Sequence, residues 1–460
     1  MKKLIALLLS VSMIVVLAAC GSTSSQTQTA AATEAEKVTE AATEAATEAA
    51  TEAETEVETE EETEKETAAY KGTIKVGHLV DLTGVEAITG ELAKECFDFA
   101  CEYVTAMTGW EFEVVDADCA GEAEKAATNA ESLISQGCQV IFGPTQILEK
   151  KSVLAYVADN HCPVVLYNGS PNAFTGGFLF GNDTIVANGG GTAGLPTVMA
   201  DYLYNVVGLR TVYCFKQDTD GGRNYVDPFV TCFEAMGGTV IDNIPVASGT
   251  NDWSGYLTTI LNSEAEAIVG WTSSSDALAF YKEWYNSGAY ETLPVYATMH
   301  GGFSDSYILD QLDDKIVDAL LNPATSDYGL TAPICYSYTV DTPENQAFVE
   351  AYEEEFGEVP LGNNLPGATV QALLALTNAL DEVGTDVDAD TLAAAIRATE
   401  FDGPEGHTVY EEGSVVAVKD VYVCEVKEQE DGSLNYEIVA TYAQVPNAGY
   451  NYDGSAYTGK

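Results

Sequence analysis

Basic residues and histidines are scarce in this sequence, and their scarcity excludes several classes of function. The 460 residues include 72 Asp and Glu against 19 Lys and Arg, a formal net charge of −53 at pH 7. Such a chain repels the phosphate backbone, so nucleic acid is excluded as a partner. The four histidines, His78, His161, His300 and His407, are not spaced as metal ligands and accompany no GxSxG serine. We therefore expect no enzyme, no metal site and no cofactor.

Cysteine pairs of the metal-binding or redox type are also missing. After Cys20 the chain has nine cysteines, and none forms a CxxC pair. Most lie in apolar runs, where a free thiol behaves as a small core residue. We expect buried thiols, which suits a reducing habitat, and a disulfide between Cys119 and Cys138 is the one pairing to test.

A single long apolar run stands at the start of the chain. Lys2 and Lys3 precede apolar residues 4–17, which are too few to span a membrane and are typical of a secretory signal. The run ends in Ala-Ala-Cys-Gly, which resembles the lipobox of bacterial lipoproteins. The resemblance implies a signal peptide at 1–19 and a lipidated Cys20 on the outer face of the cell membrane, in a Gram-positive type of envelope. An ordinary signal peptide is the alternative.

The next segment, residues 20–69, cannot build a core. Beyond Cys20 it is almost entirely Thr, Glu, Ala and Ser, with no aromatic residue. Its glutamates repel one another, so we expect a disordered, extended, polyanionic tether. A coiled coil is excluded because no apolar heptad positions repeat. The remaining residues, 70–460, are enough for two cores.

From residue 73 onwards, short β-branched runs alternate with amphipathic stretches, the rhythm of a parallel sheet wrapped in helices. The predicted strands are 73–80, 111–117, 140–142, 163–167, 211–215, 239–245, 267–271 and 294–298. The predicted helices are 90–107, 122–136, 146–160, 194–207, 225–236, 253–262 and 274–288. Two βα series in succession predict an α/β fold with two doubly wound, Rossmann-like lobes.

Six segments, in this order and spacing, resemble the Leu/Ile/Val-binding family of type I periplasmic solute-binding proteins. They are 74–77 (IKVG) with 82–84 (LTG), 141–145 (IFGPT), 162–165 (CPVV) before 168–170 (NGS), 250–254 (TNDWS), 281–288 (YKEWYNSG), and 401–404 (FDGP), which opens a small-strand region reaching 423. The likeness extends from residue 73 to about 445. It implies a binding protein for a small molecule, the substrate-binding component of a branched-chain amino acid ABC transporter.

The resemblance also implies an organisation and partners. Three crossovers would join the lobes near 183–190, 321–327 and 407–412. The first lobe would comprise 70–182 and 328–406, and the second lobe 183–327 and 407–460. The expected partners are an ABC permease and its ATPase subunits, for a monomer that contacts the membrane through its lipid anchor only. A ligand-sensing subunit for a membrane receptor and a surface adhesin are the alternatives.

In the family, hydroxyl and backbone N–H groups of the first lobe hold the ligand's carboxylate. Helix N-termini suit this role because they offer unpaired donors and partial positive charge. The matching residues are Thr83, Thr89, Thr145, Gln146, Asn168, Gly169 and Ser170. Each hydroxyl has the alternative role of capping its helix.

The second lobe is expected to contribute side chains from the loops after its strands. The residues are Asp218, Asp220, Tyr225, Trp271, Thr272 and His300. Trp271 stands at the carboxyl end of a predicted strand and suits stacking on an apolar or aromatic part of the ligand. A core position between helix and sheet is the alternative for Trp271.

One departure from the family pattern follows the strand 294–298. Amino-acid binders usually have an acidic residue there for the ligand's ammonium, whereas this chain has Met299, His300 and Gly301. Asp305 and Asp218 are the possible substitutes. The departure widens the expected ligand class to amides and aromatic carboxylates, to which His300 can hydrogen-bond.

Overall fold

The protein is an α/β structure in the computed structural model, which describes residues 68–84, 87–145, 147–167, 184–188, 194–304, 306–360, 365–410, 415–429 and 432–446. The strands are β1 (Gly72–Val80), β2 (Trp110–Asp118), β3 (Val140–Phe142), β4 (Val164–Leu166), β5 (Ile185–Ala187), β6 (Thr211–Gln217), β7 (Thr239–Val246), β8 (Ala267–Trp271), β9 (Val295–Ala297), β10 (Thr331–Ile334), β11 (Phe401–Gly403), β12 (Gly406–Tyr410), β13 (Ala417–Glu428) and β14 (Leu434–Val445). The helices are α1 (Ala87–Thr108), α2 (Ala123–Ser135), α3 (Ile147–Asn160), α4 (Gly194–Asp201), α5 (Asp220–Ala235), α6 (Ser254–Leu261), α7 (Ser274–Asn286), α8 (Ser306–Leu309), α9 (Asp314–Leu321), α10 (Pro343–Phe356), α11 (Leu365–Val383) and α12 (Ala389–Arg397). Within these ranges no helix has the length and apolarity needed to cross a bilayer.

The first sheet is parallel and is built from the earlier βα series. Its strand order is β2-β1-β3-β4-β5. Successive side chains point to opposite faces. Val76 and Phe142 join a core with α1, α11 and α12, whereas Leu79 and Ile141 join a core with α2 and α3. Helices therefore cover both faces, as a parallel sheet requires.

The second sheet repeats this plan with the later βα series. Its strand order is β7-β6-β8-β9, again all parallel. Phe215 and Ile268 join a core with α6 and α7, and Cys214 and Val269 join a core with α4 and α5. The two sheets confirm the predicted doubly wound α/β fold.

Helix α5 begins five residues earlier than the sequence predicted. Thr219 caps it, because its hydroxyl accepts a hydrogen bond from the backbone N–H of Gly222 at 3.1 Å. A Cβ at Gly222 would overlap the carbonyl oxygen of Gln217, so only glycine allows the first turn to lie this close to β6. The two glycines at 221 and 222 had concealed this start.

A third, antiparallel sheet links the two series. β13 pairs with β10, β12 and β14, and β11 pairs with β12. Ala332 and Ile334 of β10 belong to the core of the second sheet, whereas Phe348 of α10 belongs to the core of the first. The lobe boundaries stay a prediction, and this packing favours a second crossover later than 321–327, after Ile334.

The nine cysteines beyond Cys20 are all free and buried. Cys119 follows the carboxyl end of β2, whereas Cys138 precedes the amino end of β3. The two strands flank β1 in parallel, so these thiols lie at opposite edges of the sheet, too far apart for a disulfide. The pairing to be tested, Cys119 with Cys138, is therefore wrong, and buried thiols are what the structure contains.

A buried polar network joins helix α11 to the third sheet. Glu405, in the turn between β11 and β12, forms an ion pair with Lys419 of β13, and both residues are at most 2% exposed. Gln371 of α11 donates from Nε2 to the carbonyl oxygen of Gly406 at 3.0 Å and to the hydroxyl of Thr408 at 2.8 Å. Burying either charge alone would be unfavourable, because the charge would lose its hydration. Glu405 and Lys419 offset this cost for each other by pairing.

We predict that Lys419→Met lowers the free energy of unfolding by about 3–5 kcal/mol, because it leaves the Glu405 carboxyl buried without its cation. Urea unfolding measures the change. The matched control is Lys71→Met, which breaks an exposed ion pair with Asp381 and is expected to cost about 1 kcal/mol or less. Equal losses in the two variants would contradict a special role for the buried pair. The double variant Glu405→Leu with Lys419→Met is expected to recover part of the loss.

Candidate ligand-binding site

The loops after β1 and β3 meet where the first sheet reverses its strand order. Asp81 follows β1 and is 1% exposed, and its Oδ1 accepts a hydrogen bond from the N–H of Gly121 at 2.8 Å. Thr145, after β3, points its hydroxyl at Oδ2 of Asp81, with the oxygens 3.5 Å apart. Ligands of doubly wound sheets bind in the crevice at such a reversal. The structure therefore places the candidate Thr145 at the edge where a ligand is expected.

The turn that carries Thr83 is fastened to the end of β2. The Thr83 hydroxyl donates to Oδ2 of Asp118 at 2.6 Å, and Lys125 Nζ donates to the same oxygen at 2.9 Å. Burial acts to raise the pKa of Asp118, but these hydrogen bonds outweigh it and hold that pKa well below the usual range. The Thr83 hydroxyl is thus engaged by Asp118 at the end of β2, whereas Thr89 is exposed in the first turn of α1.

A histidine to which the sequence analysis gave no role anchors the end of β4. His78 on β1 is fully buried and stacks on Phe97, with ring centroids 4.1 Å apart. Its Nδ1 donates to Asp116 at 3.0 Å, and its Nε2 accepts from the hydroxyl of Tyr167 at 2.9 Å. Tyr167 directly precedes the predicted ligand loop 168–170. The contacts of His78 therefore fix Tyr167, the last described residue before that loop.

The network also determines the protonation of His78. Burial lowers the pKa of His78, and this effect exceeds the opposing hydrogen bond and charge of Asp116. The hydrogen bond from His78 is in turn the largest cause that lowers the pKa of Asp116, to about 2. The imidazole is therefore neutral and the carboxyl ionised at pH 7.

Two aromatic rings lie together at the carboxyl edge of the second sheet. Trp271, at the end of β8, meets Tyr225 of α5 edge to face, with centroids 4.8 Å apart. The Trp271 indole N–H donates to the carbonyl oxygen of Gly301 at 2.8 Å. Trp271 is half-buried and packs partly against both cores of this lobe. Its ring is thus held by α5 on one side and by the loop after β9 on the other.

The other described candidates of the second lobe differ in exposure. Asp218 is exposed and pairs with Arg223, whose Nη1 lies 2.8 Å from Oδ1. Thr272 is 1% exposed and His300 is 6% exposed. His300 lies in the loop after β9, where the family pattern usually has an acidic residue. Asp218 is the other acidic candidate of this lobe, and its carboxylate is already paired with the Arg223 guanidinium.

Sequence reasoning missed a buried amide–carboxylate pair at the same edge. Gln217, the last residue of β6, donates from Nε2 to Asp276 Oδ2 at 3.0 Å and to the Ser273 hydroxyl at 2.7 Å. The backbone N–H of Gly249 donates to the same oxygen of Asp276 at 2.9 Å. The only sequence signal was an acidic residue in the first turn of a predicted helix, which does not reveal its partners.

Several predicted site residues stay predictions because they lie outside the described part of the chain. They are Gln146, Asn168, Gly169 and Ser170, the lipidation residue Cys20, the proposed substitute Asp305, and the side chain of Asp220.

One group of buried side chains has atoms that metals can use. The ligand atoms of Asp81, Cys119 and Glu149 lie within 4.8 Å of one another. Burial, with a smaller contribution from the Glu149 charge, raises the pKa of the Cys119 thiol to about 12. A thiol must lose its proton to bind a metal, so this set does not favour a metal site.

Comparisons with known proteins agree on one family. The model of the family described as periplasmic binding protein matches residues 73–433. The Leu/Ile/Val-binding protein homolog 6 of Brucella suis is 22% identical over 387 residues, which cover 83% of this chain and 95% of the relative. The homolog 6 of Brucella abortus is 21% identical, with the same shares covered.

Solved structures share the fold. An ABC transporter substrate-binding protein from Sphaerobacter thermophilus has a TM-score of 0.69 and 26% identity, covering 81% of this chain and 98% of that one. A solute-binding protein from Rhodopseudomonas palustris, in complex with 3,4-dihydroxybenzoic acid, has a TM-score of 0.69 and 20% identity, covering 82% and 98%. A branched-chain amino acid transporter protein from Streptococcus pneumoniae, in complex with isoleucine, has a TM-score of 0.63 and 18% identity, covering 81% and 99%.

We predict that His78 makes the fold less stable in mild acid. Its pKa is lowered in the folded state, so below about pH 6.5 the unfolded chain takes up a proton that the folded chain does not. The free energy of unfolding therefore falls as the pH falls from 7 to 5, and His78→Gln is expected to flatten this slope. Urea unfolding at each pH measures it.

The control is His161→Gln, because the His161 side chain is exposed. We expect this variant to keep the wild-type slope. The same slope in wild type and in His78→Gln would show that His78 takes up its proton equally in both states.

Proposed function

The chain belongs to the periplasmic binding protein family, the solute-binding and non-enzymatic components of ABC transporters, and we propose that it captures a small solute between its two lobes outside the cell. The protein then delivers the solute to a membrane permease that works with ATPase subunits. No second copy is needed to complete such a site, so the proposed state is a monomer.

The observation that carries this proposal is the pair of parallel sheets in one chain. Each sheet reverses its strand order once, and each reversal has side chains suited to a ligand: Thr145 in the first, Tyr225 and Trp271 in the second. Closure of two lobes is favoured only by contacts that the solute gains in the closed state. Polar groups on one wall and aromatic rings on the other supply such contacts.

For the solute class we propose an amino acid or a related amide or carboxylate. A solved relative of this fold holds isoleucine and another holds 3,4-dihydroxybenzoic acid. Both ligands have a carboxylate, the group for which hydroxyls and helix N-termini are suited. The hydroxyl candidates of the first lobe match this shared group.

A second candidate, an aromatic acid or amide, is favoured by the second lobe. The loop after β9 has His300 where an acidic residue would hold an ammonium group, and Asp218 is paired with Arg223. The ring pair of Tyr225 and Trp271 instead offers an apolar surface with a fixed orientation. These features favour a flat ring over an α-amino group.

A thermal-shift screen tests the proposal. The compounds are L-leucine, L-isoleucine, benzamide, 4-hydroxybenzoate and 3,4-dihydroxybenzoate. A true ligand at 100 times its Kd is expected to add about 2.7 kcal/mol to the free energy of unfolding. No shift with any compound, nor with a metabolite extract, would contradict solute capture and favour the surface adhesin.

Variants in the same screen locate the site. Ser170→Ala and Trp271→Ala are each expected to weaken binding by about 1–3 kcal/mol, because they remove a hydrogen bond and a stacking surface. The control Tyr290→Ala removes an aromatic side chain that stacks on Tyr285 before β9, at the opposite edge of the second sheet. Unchanged affinity in both site variants would show that the cleft lies elsewhere.

We further propose that Cys20 carries the lipid anchor and that residues 21–69 tether the globular part to the outer face of the membrane. Two or more acyl chains anchor a protein stably. Cells grown with a palmitate analogue should label the wild type, and Cys20→Ser should abolish the label and release the protein to the medium. A labelled Cys20→Ser variant would contradict the anchor.

Transport and sensing are separated by the protein's genetic neighbours. Genes for a permease and an ATPase next to this one support delivery to a transporter. A receptor or kinase gene in their place supports the ligand-sensing subunit.

A further inference from the structure

We infer that Gln217 and Asp276 are positioning residues that hold three loops of the second lobe in the arrangement that binds solute. This inference rests on the proposed function, because it concerns the loops that would form one wall of the site. Neither side chain needs to touch the solute. Their role is to fix the backbone and rings that do.

The pair connects all three loops around the strand reversal of the second sheet. Gln217 ends β6, Gly249 lies in the loop after β7, and Ser273 lies in the loop after β8. Asp276 Oδ2 accepts from the Gly249 N–H at 2.9 Å and from Gln217 Nε2 at 3.0 Å, and the same Nε2 lies 2.7 Å from the Ser273 hydroxyl. Ser248 adds a longer contact to Gln217 at 3.3 Å.

The carboxylate of Asp276 is unusual because it lies almost fully buried. Asp276 is 2% exposed and Gln217 is 4% exposed, so neither exchanges these bonds for water. The Gln217 amide and the Gly249 N–H that donate to Asp276 are neutral, and Asp276 itself lies in the first turn of α7, a position that favours negative charge. A buried charge held by directed bonds from several loops restricts all of them, because any loop that moves leaves the charge under-solvated.

Movement of Gln217 would be transmitted to the aromatic wall. Gly222 packs so closely on the carbonyl of Gln217 that no Cβ fits between them. The first turn of α5 therefore rests on the end of β6, and Tyr225 in the next turn contacts Trp271. The position of the ring pair thus depends on the position of Gln217.

Loss of the Gln217–Asp276 contacts should lower affinity without removing any solute contact. If only a fraction of molecules hold the loops correctly, the apparent Kd rises by the inverse of that fraction. A variant in which about one molecule in ten is competent would bind about tenfold more weakly. This effect differs from that of a contact residue, because it appears in the solute-free protein as loop mobility.

The test uses Asp276→Asn in the full chain. The amide keeps the shape of the side chain but turns one of the two acceptor oxygens, both of which accept from the Gly249 N–H, into a donor. We expect hydrogen exchange at the Gly249 amide to speed up about tenfold or more in the solute-free protein, and the Kd to rise about tenfold. The probe for Kd is 4-hydroxybenzoate or L-isoleucine, whichever stabilises the wild type, measured at a temperature where every variant remains folded.

Two further variants make the test specific. Asp252→Asn is the matched control, since Asp252 also accepts bonds at a helix start, from Ser254 N at 3.0 Å, but is exposed. It should leave both exchange at Gly249 and Kd unchanged. The exchanged pair, Gln217→Glu with Asp276→Asn, restores one acceptor and one donor and should recover most of the affinity.

The outcomes separate this inference from the proposed function. Faster exchange with a higher Kd supports both. A lower unfolding midpoint with unchanged exchange at Gly249, or with unchanged Kd, overturns the positioning role and leaves solute binding intact. If the wild type binds neither probe, the proposed solute classes fail, and unchanged exchange in Asp276→Asn would then overturn the positioning role as well.

Discussion

The structure depends on the reversal of strand order in each parallel sheet. At β1 and β3, and again at β6 and β8, neighbouring strands send their connections to opposite faces, so the loops diverge and leave a crevice at the carboxyl edge. Buried polar pairs lie at each of these points: Asp81 with Thr145 in the first sheet, and Gln217 with Asp276 in the second. Helices cover both faces of each sheet, so these edges are where backbone groups and short side chains can meet a solute.

The third sheet imposes a different requirement, because the chain passes through it between the two cores. Its strand β10 packs with the second core, and the following helix α10 packs with the first. The Glu405–Lys419 pair and Gln371 lie at this junction. Buried charges tolerate few alternative geometries, since each displaced partner leaves an unsolvated group. These buried polar contacts therefore fix the positions of β12 and β13 beside the first core.

The fold could be predicted because its signal is local, whereas the networks at the edges could not. Alternating β-branched and amphipathic runs predicted every strand of the two parallel sheets except β5, which lies where a crossover was expected. Strand direction alone, applied to Cys119 and Cys138, would have excluded their disulfide. By contrast, His78 and Asp116 are 38 residues apart and Gln217 and Asp276 are 59 apart. No periodic pattern relates such pairs. The antiparallel sheet was predicted only as a small-strand region, and its strand β10 pairs with β13 across a long separation, from Thr331 to Glu425.

The negative charge of the chain makes the fixed groups at these sheet edges more important for holding a solute. A net charge of −53 creates a field that hinders an anionic solute on approach. Affinity for a carboxylate must then come from short-range donors, which are effective only when they already point at the ligand. Asp118 and Asp276 accept hydrogen bonds from neighbouring loops, so their carboxylates hold those loops in place and do not face the crevice as free charges. An acidic protein can therefore hold an anion, provided that its acidic side chains near the site are engaged in building the loops that bind it.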